Sequence, residues 1–130
     1  MNKFTGTFEI NLGGKEHTLR PTFEALVEFE EKSGKAVNEA FQEMIEGKMS
    51  FKTIACAIWA GIKGEASWNN DKSAVMKYIT VGELIRKDGL QNHVESASRF
   101  FTMALIPEEE QKKLTEEGEG GEAEASKKNT

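Results

Sequence analysis

One cysteine, two prolines, two histidines and one tyrosine are all that this 130-residue chain holds of those types, and each scarcity closes a line of interpretation. A lone thiol, Cys56, cannot form an internal disulfide, so nothing in the chain points to an oxidising compartment or a stapled fold. His17 and His93 lie far apart, and neither has a cysteine or an acid at metal-ligand spacing, so no metal and no cofactor is expected. Long apolar runs are missing too. The longest uncharged one, Thr53 to Ile62, falls short of the about 18–20 residues that span a bilayer. The opening "MNKFTGTFEINL" alternates polar and apolar residues, where a signal peptide would need a continuous apolar core. The expectation is a soluble, cytoplasmic protein with no membrane association.

Positive charge is also in short supply. The net charge is −5, and its distribution is uneven: residues 107–130 hold eight glutamates and four lysines, whereas the remainder is nearly neutral. No basic stripe is available for a phosphate backbone, which argues against nucleic-acid binding.

The patterns that are present describe a small α+β protein. In "FTGTFEINLGGKEHTLR" the apolar residues Phe4, Phe8, Ile10 and Leu12 recur with a period near two. Gly13-Gly14 separates two strand-like runs, and a Gly-Gly pair supplies the positive φ angles of a tight hairpin turn. Pro21-Thr22 opens a first helix with Thr22 as N-cap, Phe23, Leu26, Val27 and Phe29 as its apolar stripe, and Gly34 as C-cap. A second helix carries Val37, Ala40, Phe41, Met44 and Ile45 and ends at Gly47. Ser50 caps a third, in which Phe51, Ile54, Ala55, Ile58, Trp59 and Ile62 form a helical stripe and Cys56, Ala57, Ala60 and Gly61 fill most of the rest. A helix apolar nearly all round runs through the centre of a domain.

A loop "GEASWNND" is expected next, then a helix over about 72–79. Thr80 and Glu83 have the spacing of a capping box that opens another helix, interrupted at Asp88-Gly89. The last helix holds Leu90, His93, Val94, Ala97, Phe100, Phe101, Ala104 and Leu105, and Pro107 ends it. The layout predicted is one α+β domain over 1–106, a β-hairpin packed against about five α-helices, followed by a disordered acidic tail over 107–130.

Searching the same sequence for chemistry finds little. Cys56 lies in the second turn of an apolar helix, where a small buried hydrophobe is expected and an activated thiolate is not. Glutamates such as Glu28, Glu30 and Glu31 read as solvated helix faces, and Gly13-Gly14 lacks the remaining residues of a phosphate loop. No catalytic residue is assigned, and no enzyme is expected. Trp68, in a polar loop, either folds back as a lid over the core, the favoured reading, or anchors a partner.

The order "FTGTFEINLGGKEHTLRPTFEALVEFEEKSG", then "EGKMSFKTIACAIWAGIKG" with its apolar helix closing on Ala-Gly-x-Lys-Gly, resembles the phage tail assembly chaperones. The resemblance is to the branch that includes the gene transfer agent proteins, and it covers about residues 5–105. It implies a small cytoplasmic, chaperone-like protein that binds the tape measure protein and keeps it soluble while tail tube subunits polymerise, without catalysis. Tape measure protein and, as a second partner, tail tube subunits are the implied contacts; a homo-oligomer is left open. The residues expected to line the client-binding grooves are Trp59, Trp68, Phe100, Phe101 and Met103. The rival readings are a structural tail tube or minor tail component retained in the particle, a regulatory adaptor, and an enzyme using Cys56. The first rival meets one objection, that tube subunits need long strands.

Overall fold

The structure is a computed structural model and describes residues 6–110. Two strands come first, β1 (Phe8–Leu12) and β2 (Lys15–Leu19), then five α-helices: α1 (Phe23–Ser33), α2 (Val37–Ile45), α3 (Phe51–Trp68), α4 (Tyr78–Asp88) and α5 (Val94–Leu105). Short 3-10 turns, Lys72–Ala74 and Leu90–His93, precede α4 and α5. The α+β class and the hairpin-plus-five-helix layout expected from the sequence are therefore present. Of the acidic tail expected to be disordered over 107–130, residues 108–110 are helical; residues 111–130, like Phe4, lie outside the described residues.

Gly13 (φ 65°) and Gly14 (φ 83°) form the two-residue turn. The antiparallel register pairs Leu12 with Lys15, Ile10 with His17 and Phe8 with Leu19. Alternation puts Phe8, Ile10 and Leu12 into the core and leaves Glu9 and Asn11 exposed. Because the residues flanking such a turn form a hydrogen-bonded pair, the main-chain groups of Phe8, Ile10 and Leu12 point to β2, and those of Glu9 and Asn11 point outward from the sheet.

Helix α3 is the spine. Every residue from Thr53 to Ile62 is buried, and β2, α1, α4 and α5 all pack against it. Ser50 caps it as expected, its hydroxyl accepting from the Thr53 N–H at 3.1 Å. Small residues let its neighbours come close. A Cβ on Gly64 would collide with the carbonyl oxygen of Arg20 and lie 2.9 Å from the Ala25 Cβ. That proximity sets the face of α1. Ala25, Phe29 and Ser33 are its buried residues, while Phe23 is 82% exposed and Val27 is 37% exposed. Of the expected stripe, Phe29 is buried and Leu26 packs against the core, whereas Phe23 and Val27 are turned out, since α1 seats its smallest residue, Ala25, against a glycine on α3. The predicted caps of α1 are both present: the Thr22 hydroxyl accepts from Ala25 N–H at 3.1 Å, and Gly34 is left-handed.

Four boundaries differ from expectation. Helix α3 runs on through the expected loop to Trp68, because nothing between Gly64 and Trp68 breaks it and Ala66 is buried. Of residues 72–79, expected as a helix, Lys72–Ala74 is a single 3-10 turn, Val75 and Lys77 are extended, and only the last two are α-helical. Helix α4 then starts at Tyr78, so Thr80 and Glu83 lie inside it, and the Glu83 carboxylate pairs with Arg86 at 2.9 Å. Tyr78 sets the earlier start, with its ring edge-on to Trp59 at 6.0 Å and Val81 and Ile85 following on the buried face. Leu90–His93 forms a separate 3-10 turn, and α5 begins at Val94.

Candidate functional site

Cys56 is completely buried in the middle of α3. Burial pushes its thiol above the usual range, against the opposite pull of a hydrogen bond with the Tyr78 hydroxyl and of Lys52, Lys32 and Lys35. The same burial, with Cys56 adding to it, pushes the Tyr78 phenol up to about 12. A thiol held in its protonated form inside the core is packing material. Neither histidine is paired with it: His93 bonds Asp88, and His17 is held below its usual value by burial and by Lys15.

The five residues expected to line the client-binding grooves are spread over different environments. Phe100 and Phe101 are fully buried and pack on Phe29, with ring centroids 6.2 and 5.1 Å away. Trp59 is 6% exposed, with Lys32 and Lys63 each 5.1 Å from its ring. Met103 is half-buried. Only Trp68 presents a large face to solvent, at 64% exposure, which also overturns its expected role as a lid. It is the last residue of α3, not a loop residue, and the Arg20 guanidinium covers its ring at 4.4 Å. Arg20 is itself fixed by Glu65 at 2.9 Å. Nine positions along a helix turn Trp68 about half a revolution from Trp59. These aromatics do not form one surface, because most of them were consumed in building the core.

A groove does exist, at a place the sequence did not single out. It has a volume of about 430 Å³ and lies between the outer edge of β1 and the junction of α4 with α5. Its polar wall includes Glu9, Asn11, Asp88, Glu95 and Arg99, with Phe8 and Ile10 beneath. Arg99 stands over the Phe8 ring at 5.6 Å. Asp88 is the organising residue. Its Oδ2 accepts from the Gly13 N–H and contacts His93 Nε2, each at 2.8 Å. The Gly13 N–H and then His93 hold the Asp88 carboxyl below the usual carboxylate range. His93 Nδ1 is left buried with no partner among the described residues. The one sequence signal for this arrangement was Asp88-Gly89 at a helix end. The five-residue offset to His93 fits no ligand spacing, and Gly13 is 75 positions away.

Among the described residues no group of three acidic, histidine or cysteine side chains is placed to hold a metal ion, and no helix is long and apolar enough to cross a membrane. No curated protein and no solved structure matches the chain. Residues 5–86, from the hairpin through most of α4, match the family described as phage tail tube protein, GTA-gp10. The phage and gene transfer agent tail setting expected from the sequence stands, whereas the assignment as a chaperone holding the tape measure protein is overturned by this match, which favours the structural tail component held as the rival. The match spans more than half of the chain, and the chain belongs to this phage tail tube family.

Proposed function

We propose that this protein is a structural component of a phage-type tail, retained in the particle, which works by contact with other tail proteins and carries out no catalysis. The observation that carries the reading is the family match over residues 5–86. Its partners on this reading are tail tube subunits, including further copies of itself. The core supports a non-catalytic role: the thiol is sealed in α3, and the one histidine–carboxylate pair among the described residues joins the hairpin turn to the α4–α5 junction. The objection from short strands takes a new form. Each strand has five residues, so a longer sheet built from the described residues in an assembled tube comes from pairing between chains.

The test is mass spectrometry of purified particles with a tagged copy of this chain expressed from its own locus. A tail component is present in many copies per particle. A trace or absent signal in particles that are otherwise complete overturns the proposal.

A further inference from the structure

Two features of the surface carry main-chain groups without partners, and they lie at opposite ends of α4. At its C-terminal end the groove exposes the outer edge of β1, where the N–H and C=O groups of Glu9 and Asn11 point away from β2. At its N-terminal end, Val75 and Lys77 are extended, and residues 75–77 belong to no helix or strand. Among the described residues the N–H groups of Met76 and Lys77 and the carbonyls of Val75 and Met76 make no hydrogen bond. Open strand edges and extended segments of this kind pair with each other when they meet.

Their charges are complementary. The groove wall holds Glu9, Asp88 and Glu95 against a single cation, Arg99, which is set over Phe8. The extended residues carry Lys77, and the 3-10 turn before them Lys72, both exposed, against one acid, Asp71, whose carboxylate is bound to Ser73. Val75, 44% exposed, projects between the two lysines. Helix α4 has eleven residues and separates the two features by about 15 Å, so one chain cannot satisfy its own groove.

Resting on the reading as a tail component, we propose that residues 75–77 of one copy dock along β1 in the groove of the next, with Lys77 opposite Glu95. The contact uses two different surfaces, so it is head-to-tail, and repetition builds a ring or a stack instead of a closed pair.

Sedimentation velocity of the full chain up to millimolar concentration tests this. The wild type should self-associate, and Glu95→Lys or Lys77→Glu should each weaken association by about tenfold, with circular dichroism confirming that both variants fold. Mixing the two variants should restore association, because each supplies the surface the other lacks; this does not happen in a contact that uses one surface twice. A monomeric wild type, reversals without effect, or a mixture that stays dissociated each overturns the proposal. Particle incorporation is read separately, so a failure here leaves the tail assignment to its own test.

Discussion

The carboxylate of Asp88 accepts a hydrogen bond from the main-chain N–H of Gly13 at 2.8 Å, tying the hairpin turn to the end of α4 across 75 positions of sequence. His93 shares the same oxygen, so one acid fixes both the strand edge and the start of α5 that border the groove.

That link has a pH dependence with a definite sign. The Asp88 carboxyl is held below its usual value in the folded chain, so the unfolded chain binds the proton more readily. The stabilisation is full above the ordinary carboxylate range near pH 4 and is lost as pH falls through the lower folded value. Urea midpoints measured from pH 7 down to pH 3 should fall for the wild type and fall less for Asp88→Asn, which keeps the size of the side chain and has no charge to lose. Parallel curves for the two proteins would remove Asp88 from this account.

Two glycines in helices should respond to alanine with opposite signs. At Gly64 the new methyl meets the Arg20 carbonyl and the Ala25 Cβ, and forced separation of α1 from α3 should cost about 1–3 kcal/mol. At Gly82 nothing lies within 4 Å, and the helix preference of alanine should stabilise α4 by about 0.5–1 kcal/mol. Thermal melts of the two single variants check both. A stable Gly64→Ala would mean that α1 and α3 are not held at this distance.

The single tyrosine makes alkaline titration clean. Burial raises the Tyr78 phenol to about 12, so tyrosinate absorbance of the native chain should rise well above pH 10 and return toward pH 10 in denaturant. The unfolded chain loses its proton first, so this contribution to stability is complete below about pH 10 and declines as pH climbs toward 12. Cys56 should report the same packing: a thiol reagent should react only at the rate of unfolding, and a fast native reaction would contradict a sealed core.

The aromatic residues should divide sharply. Phe29, Phe100 and Phe101 form one buried cluster, and Phe100→Ala should cost about 3–5 kcal/mol. Trp68→Ala removes an exposed ring and its contact with Arg20, worth about 0.5–1 kcal/mol. Chemical denaturation that ranked them in the reverse order would place the core elsewhere.

The features legible in the sequence were those decided by neighbours along the chain. Gly13-Gly14 forms the expected turn, Thr22 and Ser50 cap the helices expected of them, and Cys56 is buried where its apolar stretch placed it. The misreadings share one cause. Tyr78 starts α4 early because Trp59 waits across the core, Trp68 stays helical because Ala66 is buried, and Phe100 with Phe101 went inward because Phe29 is there. Of the five residues expected to line docking grooves, Trp59, Phe100 and Phe101 are therefore core, and only Trp68 and Met103 reach the surface. The groove went unnoticed because its makers, Gly13, Asp88, His93 and the edge of β1, are joined only through folding.

The sequence by itself determined the turns, the caps and a central apolar helix, since each depends on backbone preferences and periodicity within a few residues. Tertiary structure alone decided which face of α1 is buried, which strand edge stays open and where carboxylates gather, because those depend on which distant residues are close enough to exclude water or share a proton.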